Sequence, residues 1–126
     1  MFRRNDDAGK AMSVTIYHNP KCSTSHNVLG LLRDAGQDPH IIEYLKTPPS
    51  RAELKRLVKR MGVKVSDIVR WKEPTAAEIG LDKDTSRDEA LLDAMVAHPI
   101  LINRPIVVTE DAVKLCRPSE TVKELL

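Results

Sequence analysis

The sequence predicts an α/β fold built on a mixed four-stranded β-sheet, and three observations support this prediction. A β-branched run, an amphipathic stretch and a second apolar run follow one another between residues 13 and 45, which is typical of a strand–helix–strand unit. Two further short apolar runs lie close together between residues 106 and 116, as in a hairpin. The 126 residues are 41% hydrophobic and 30% charged, a composition typical of one globular domain.

The N-terminal part predicts a βαβ unit that follows a polar stretch. Residues 1–12 are predicted to be a flexible extension of a domain that spans residues 13–126. Ser13–His18 alternates β-branched residues with others and is predicted to be the first strand. A helix is predicted from Ser23, because apolar residues then recur at i, i+3, i+4 and i+7. His40–Leu45 is predicted to be a second strand parallel to the first, joined to it by a right-handed crossover.

The middle of the chain, about residues 50–98, is predicted to be a helical insertion. Ser50 followed by Glu53 matches a capping box at the start of its first helix, and Ser86 followed by Glu89 does the same for its last helix. Two shorter helical segments are predicted between them, at Val65–Arg70 and Thr75–Gly80.

The C-terminal part is predicted to form an antiparallel hairpin of Ile106–Thr109 and Val113–Cys116, followed by a closing helix at Pro118–Leu126. The complete order, βαβ, then helices, then ββα, is that of a thioredoxin-like domain with a helical insertion between its two halves. In that fold the X-Pro bond before the third strand is typically cis and faces the reactive cysteine, whereas only ~5–6% of X-Pro bonds are cis in general. We therefore predict a cis bond between Arg104 and Pro105.

Composition and charge argue against several classes of function. Aromatic residues make up only 3% of the chain and the net charge is +2, which does not favour a nucleic-acid partner. No apolar run approaches the ~20 residues that a membrane-spanning helix requires, and the N-terminus lacks the apolar region of a secretory signal. We therefore expect a cytoplasmic protein without a membrane partner. The four histidines and two cysteines show no metal-ligand spacing, so no metal site is expected.

Cys22 is the leading candidate for a reactive side chain. It follows the break after the first strand, where the next helix begins, and a helix N-terminus stabilises a thiolate. A free cysteine is often a small core residue, as we predict for Cys116, but the polar and basic neighbours at residues 21–26 favour an exposed Cys22. His18 would also favour the thiolate. Ser25 makes the motif C-x-x-S rather than C-x-x-C, so it offers a hydrogen bond instead of a second thiol.

Three arginines are candidates for binding an oxyanion at this cysteine. Cysteine phosphatases use a C-x5-R loop, but Val28 occupies the arginine position here, so the cationic groups must come from elsewhere. Arg70 ends a predicted helix of the insertion, and Arg104 and Arg117 each precede a proline at the end of a predicted strand. Arginine suits oxyanions because its planar group donates paired, charge-assisted hydrogen bonds. The alternative is that each arginine is a surface charge, since most arginines are exposed.

Five stretches of the chain, in order from residue 13 onward, form a distinctive pattern. They are Tyr17-His18-Asn19-Pro20-x-Cys22-x-Thr24-Ser25, Tyr44-Leu45-x-x-Pro48-Pro49-Ser50-Arg51, Arg70-x-x-Glu73-Pro74, His98-Pro99-Ile100-Leu101-Ile102-Asn103-Arg104-Pro105-Ile106-Val107-Val108, and Leu115-Cys116-Arg117-Pro118. The last two stretches are specific, and the set as a whole closely resembles the glutaredoxin-coupled arsenate reductases.

The resemblance implies a reaction and a role for each candidate residue. Cys22 would be the nucleophile that attacks arsenate, His18 would favour its thiolate, and Ser25 would supply a hydrogen bond at the cysteine. The arsenate and arsenite oxygens would be bound by the three arginines, Arg70, Arg104 and Arg117. No bound cofactor is implied, because glutathione as co-substrate and glutaredoxin as protein partner would provide the reducing equivalents.

Two features keep other interpretations open. His26 stands where the family often has an arginine, which would weaken the positive field at the cysteine. Thioredoxin-like relatives include redox regulators that bind RNA polymerase, and a glutathione-dependent thiol reductase of unknown substrate is a further alternative. The regulators generally use a C-x-x-C, so Ser25 together with the arginines favours the enzyme.

Overall fold

The computed structural model describes residues 12–126, so the predicted extension lies, apart from Met12, outside the described part of the chain. The strands are β1 (Thr15–His18), β2 (His40–Glu43), β3 (Ile106–Val108) and β4 (Val113–Leu115). The α-helices are α1 (Ser23–Asp34), α2 (Arg51–Met61), α3 (Pro74–Glu78) and α4 (Asp88–Ala97). Three 3₁₀-helices are formed by Val65–Ile68, Pro99–Leu101 and Ser119–Leu125. None of the helices in the described range is long and apolar enough to cross a membrane.

The four strands form one mixed sheet, as the sequence predicts, and their order in it is β2-β1-β3-β4. β1 and β2 are parallel, and α1 lies between them in the chain. β3 is antiparallel both to β1 and to β4. Helices α2, α3 and α4 come between β2 and β3, so the predicted insertion between the two halves is confirmed.

The strand directions bring distant parts of the chain to one end of the sheet. The register pairs His18 with Glu43, Tyr17 with Ile106, and Ile106 with Leu115. The carboxyl ends of β1, β2 and β4 and the amino end of β3 therefore lie side by side. The loops attached to these ends are neighbours, although the chain places them far apart.

The sheet carries a hydrophobic core on each face, because side chains alternate along a strand. Ile16 and Val107 belong to the core with α1 and the C-terminal 3₁₀-helix, whereas Tyr17 and Ile106 belong to the core with the insertion. Helix α1 contributes Val28, Leu29 and Leu32 to the first core. Helices α2 and α4 contribute Leu54, Leu57, Val58, Leu91, Leu92 and Met95 to the second. One of the two cores is thus formed between the sheet and the insertion.

Helix α2 begins after Ser50 and ends before Gly62, as predicted, but only the Ser50 half of the predicted capping box forms, because the Glu53 carboxylate accepts from the Tyr17 hydroxyl. The Glu53 backbone N–H donates to Ser50 Oγ at 3.1 Å, which caps the first turn. Gly62 follows the last turn with φ 71°, a left-handed conformation that glycine adopts without strain. The two ends of α2 are therefore set by local sequence.

Three details of the predicted helices are wrong. Helix α4 starts after Arg87, and Ser86 does not cap it, because Ser86 Oγ accepts instead from the Asp82 N–H at 2.8 Å. Serine closes turns with the same kind of bond that caps helices, so the pattern could not distinguish the two. The segment predicted at Val65–Arg70 forms a shorter 3₁₀-helix, and the closing segment is also 3₁₀ rather than α-helical.

Both Arg-Pro bonds at the functional end of the sheet are cis. The Arg104–Pro105 bond confirms the prediction made from the fold. The Arg117–Pro118 bond is also cis, and the sequence did not predict it.

Candidate active site

Cys22 occupies the N-cap position of α1. Its backbone is extended, with φ −102° and ψ 120°. Its N–H donates to the Asn19 carbonyl, and its own carbonyl accepts from the His26 N–H, both at 3.0 Å. The side chain is partly exposed. The predicted placement of an accessible thiol at a helix N-terminus is therefore confirmed.

The surroundings of Cys22 favour the thiolate. Burial raises the pKa of the thiol, but the Ser25 backbone N–H and the side chains of Arg117 and Arg104 together lower it by more. The thiolate is the nucleophilic form of cysteine. The sulfur atom is therefore prepared to attack an electrophile.

Arg117 lies directly beside the thiol. Its Nη1 donates toward Cys22 Sγ at 3.7 Å and to the Arg104 carbonyl at 3.0 Å. The second bond fixes the guanidinium between the end of β4 and the segment that leads into β3. Arg117, predicted from sequence as an anion-binding residue, is thus held against the cysteine.

Arg104 is buried, with only 7% of its surface exposed, which is unusual for an arginine. Its Nη1 donates to the Ile100 carbonyl at 3.2 Å, and its Nη2 lies 3.8 Å from Glu73 Oε2. Its guanidinium also lowers the pKa of the Cys22 thiol. Arg104 is therefore a second cation at the same sulfur.

Arg70 reaches this end of the sheet from the insertion. An isolated antiparallel bridge pairs Val69 with Ile102, and the Arg70 N–H donates to the Leu101 carbonyl at 2.7 Å. Arg70 Nη1 donates to Asn103 Oδ1 at 3.3 Å. These bonds attach the insertion to the segment that carries Arg104, and so bring the third predicted arginine to the others.

Glu73 and Asn103 hold the arginines and were not predicted as site residues. Glu73 Oε2 lies 3.4 Å from Arg70 Nε and 3.8 Å from Arg104 Nη2. Asn103 Oδ1 accepts from Arg70 Nη1 and from the Arg104 N–H. Each residue stands close in sequence to one arginine, but sequence spacing does not show that one side chain joins two arginines from different elements.

The buried Nε atom of Arg104 has no hydrogen-bond partner among residues 12–126, and the buried Nε atom of Arg70 faces only Glu73 Oε2, at 3.4 Å. A buried donor without a partner is costly to folding, more so when it belongs to a charged group. Together with Arg117, these groups form a set of charged donors suited to a tetrahedral oxyanion. The structure thus brings the three predicted arginines to the end of the sheet that carries Cys22.

His18 and Ser25 form a buried pair beside the cysteine loop. His18 Nδ1 lies 2.6 Å from Ser25 Oγ, which also accepts from the Asn19 N–H at 3.1 Å. Burial, and then the nearby His26, lowers the pKa of His18 and so favours its neutral ring. His18 contacts the cysteine loop through Ser25, and its predicted effect on the thiolate stays a prediction. The Ser25 hydroxyl is engaged with His18 and Asn19, while the Ser25 backbone N–H acts on the thiol.

Three further side chains, those of Cys116, Trp71 and His26, are buried or hydrogen-bonded within the fold. Cys116 is fully buried, and burial raises the pKa of its thiol to about 12. Trp71 donates from Nε1 to the Ser66 carbonyl at 2.9 Å and packs against the core of the insertion. His26 is exposed and bonds to the Pro20 carbonyl. In the part of the chain that the structure describes, no three histidine, cysteine or acidic side chains are grouped so that they could hold a metal ion.

Comparison with known proteins gives one consistent match. The model of the ArsC family matches residues 17–125. An arsenate reductase of Rhizobium meliloti (strain 1021) is 53% identical over 115 residues, which cover 91% of this chain and 82% of that protein. An arsenate reductase of Escherichia coli (strain K12) is 51% identical over 114 residues, with 90% and 81% covered. The solved structure of an arsenate reductase from Vibrio cholerae matches with a TM-score of 0.89 at 47% identity over 93% of this chain and 100% of that one, which confirms the predicted fold class.

Proposed function

Because the chain belongs to the ArsC family, we propose that it is an arsenate reductase that converts arsenate to arsenite through the Cys22 thiolate. The observation that carries this proposal is the position of the Arg117 guanidinium, with Nη1 3.7 Å from Cys22 Sγ. A nucleophile and an oxyanion-binding cation are thereby neighbours at an accessible end of the sheet.

In the first step the Cys22 thiolate attacks the arsenic atom, a sulfur–arsenic bond forms, and one arsenate oxygen leaves as water after taking up protons. Thiolate and arsenate are both negatively charged and repel each other in solution. Arg104 and Arg117 offset this repulsion, because their positive charges already act on the sulfur. The buried Nε–H group of Arg104 supplies a further donor for the arsenate oxygens.

Reduction requires two electrons, which two thiols provide when they become a disulfide. We infer that Cys22 supplies one thiol and glutathione the other. Over both steps, arsenate and the two thiols yield arsenite, one water and a mixed disulfide between Cys22 and glutathione, so that atoms and electrons balance. A glutaredoxin thiol next takes over the glutathionyl group by thiol–disulfide exchange and regenerates free Cys22.

The cysteine content supports a reductant from outside the chain. The sequence has two cysteines, and the second, Cys116, is 0% exposed. Ser25 occupies the position that carries the second thiol in a C-x-x-C motif. Cys22 therefore lacks an accessible partner for an internal disulfide. Glutathione keeps thiols reduced in the cytosol, which we propose as the location of the enzyme.

The test is a coupled assay that follows arsenate-dependent NADPH oxidation in the presence of glutathione, glutaredoxin and glutathione reductase. We expect the wild-type protein to be active, Cys22→Ser to be inactive, and Cys116→Ser to keep most of the activity. The reason is that Cys22 alone lies accessible at a helix N-terminus beside arginines. Omission of glutathione or of glutaredoxin should each stop turnover.

Other outcomes would favour the alternatives. A folded but inactive Cys116→Ser variant would contradict the single-thiol scheme. A wild-type protein that is inactive on arsenate, yet forms a mixed disulfide with glutathione at Cys22, would be a thiol reductase of another substrate. Binding to RNA polymerase without arsenate turnover would identify a redox regulator instead.

A further inference from the structure

The Tyr44 hydroxyl is a polar group that neither the fold nor the reaction scheme above uses. The residue is 0% exposed and belongs to the core that contains the insertion. Its hydroxyl proton has no acceptor among residues 12–126. Buried hydroxyl groups are usually paired, so an unpaired one requires an explanation.

Tyr44 lies at the end of the sheet that carries Cys22. Tyr44 directly follows β2, and the register pairs His18 with Glu43, so the next residues along the two parallel strands are Asn19 and Tyr44. Asn19 is the residue whose carbonyl accepts from the Cys22 N–H. The Tyr44 ring therefore stands at the end of the sheet where the cysteine loop begins.

The electrostatic surroundings of the phenol agree with this position. Burial raises the pKa of Tyr44 and the charge of the Cys22 thiolate raises it further, whereas the charge of Arg104 and donation from the Asn19 side chain to the phenol oxygen lower it. The phenol is thus protonated at neutral pH and can donate a hydrogen bond. It is also close enough to Cys22 and Arg104 for their charges to act on it.

Packing alone does not require the hydroxyl. A phenylalanine ring would fill the same apolar surroundings and would bury no unpaired donor, so the hydroxyl lowers folding stability unless a ligand accepts from it. Its neighbours in the site are cations and a thiolate, and the ligand expected between them is an oxyanion.

We propose that Tyr44 is a substrate-binding residue whose hydroxyl donates to an oxygen of the oxyanion bound at Cys22. This inference rests on the proposed arsenate reduction. Tyr44 adds a neutral donor to a set that otherwise consists of charged arginines, and so it binds an oxygen without adding positive charge to the site.

The test compares Tyr44→Phe with Tyr17→Phe, because the chain has only these two tyrosines. Tyr17 is also buried, but its hydroxyl donates to Glu53 Oε2 and is thus already paired within the fold. We expect Tyr44→Phe to lower kcat/KM for arsenate about tenfold or more, as for loss of a hydrogen bond to a charged group. Its thermal midpoint should stay equal to that of the wild type or rise. Tyr17→Phe should show the reverse, with a lower midpoint and unchanged kcat/KM.

A second readout does not depend on turnover. Arsenate, in the absence of glutathione, should protect Cys22 from iodoacetamide in the wild type, and Tyr44→Phe should need about tenfold more arsenate for half protection. A wild type that shows neither turnover nor protection contradicts the proposed function itself. An active wild type with an unchanged Tyr44→Phe variant overturns the role of Tyr44 alone. A Tyr44→Phe variant that loses stability together with activity would make Tyr44 a structural residue and also overturn the proposal.

Discussion

At the scale of single residues, the reactivity of Cys22 depends on a competition between burial and hydrogen bonding. Partial burial of the sulfur disfavours the thiolate, whereas the Ser25 N–H and the guanidinium groups of Arg117 and Arg104 favour it, and the balance lowers the pKa of the thiol. The sequence identified the cysteine and the arginines. It also assigned part of the effect to His18, which lies with Nδ1 2.6 Å from Ser25 Oγ, and this role stays a prediction.

This balance predicts the pH dependence of alkylation at Cys22. Because iodoacetamide reacts with the thiolate, its rate should rise as the pH rises through the thiol pKa, with a midpoint below the ordinary value of ~8.5. Arg117→Ala removes a favourable contact with the sulfur, so its midpoint should be higher than that of the wild type. The Cys116→Ser background leaves Cys22 as the only thiol to be labelled. A wild-type midpoint at ~8.5, or no change in Arg117→Ala, would contradict the prediction.

At the scale of elements, the insertion takes part in the site through one short connection. The bridge between Val69 and Ile102 and the contacts of Asn103 join the end of its first 3₁₀-helix to the segment before β3. Hydrophobic periodicity predicted the helices well, since α2 and α4 bury apolar faces that the sequence displays. It could not predict the bridge, because a single pairing between irregular segments leaves no repeating pattern.

The connection predicts a role for Asn103 in arsenate binding. Asn103→Ala removes the acceptor for Arg70 Nη1 and for the Arg104 N–H, so both arginines should lose their fixed positions. We expect kcat/KM for arsenate to fall by about tenfold, with the change mainly in KM. Ser50→Ala is a matched control, since it removes the cap of α2 and should cost about 1 kcal/mol of folding stability without lowering kcat/KM. Equal activity in Asn103→Ala and the wild type would show that the arginines do not depend on this contact.

At the scale of the whole molecule, the topology of the sheet assembles the site. Arg104 and Arg117 are far from Cys22 in the sequence, yet the antiparallel pairing of β3 with β1 and β4 places all three at one end of the sheet. The βαβ unit and the hairpin could be predicted because each is visible in the sequence, but the sequence analysis did not predict the order in which their strands join. Glu73, which lies between Arg70 and Arg104, could not be predicted, because its partners meet only in the folded chain.

The site predicts that an arginine contributes to activity both through its positive charge and through its planar set of donors. Arg104→Lys keeps the positive charge but loses the planar donor group, so it should lower arsenate reduction, and Arg104→Ala should lower it further. A hydrogen bond that involves a charged group contributes roughly 1.5–3 kcal/mol, so Arg104→Ala and Arg117→Ala should each lower kcat/KM by about ten- to a hundredfold. Circular dichroism checks that each variant is folded. Near-wild-type kcat/KM in both alanine variants would show that these arginines bind no substrate.

The two cores on opposite faces of the sheet also have a consequence for deuterium exchange. β1 and β3 have a neighbouring strand on each side, and their side chains alternate between the two cores. Their amide protons can reach deuterated solvent only when at least one core opens together with the adjoining strand, and such openings have free energies near that of global unfolding. The cysteine loop and the Arg104 segment are attached to these two strands, so we expect both to be anchored in the part of the chain with the slowest exchange.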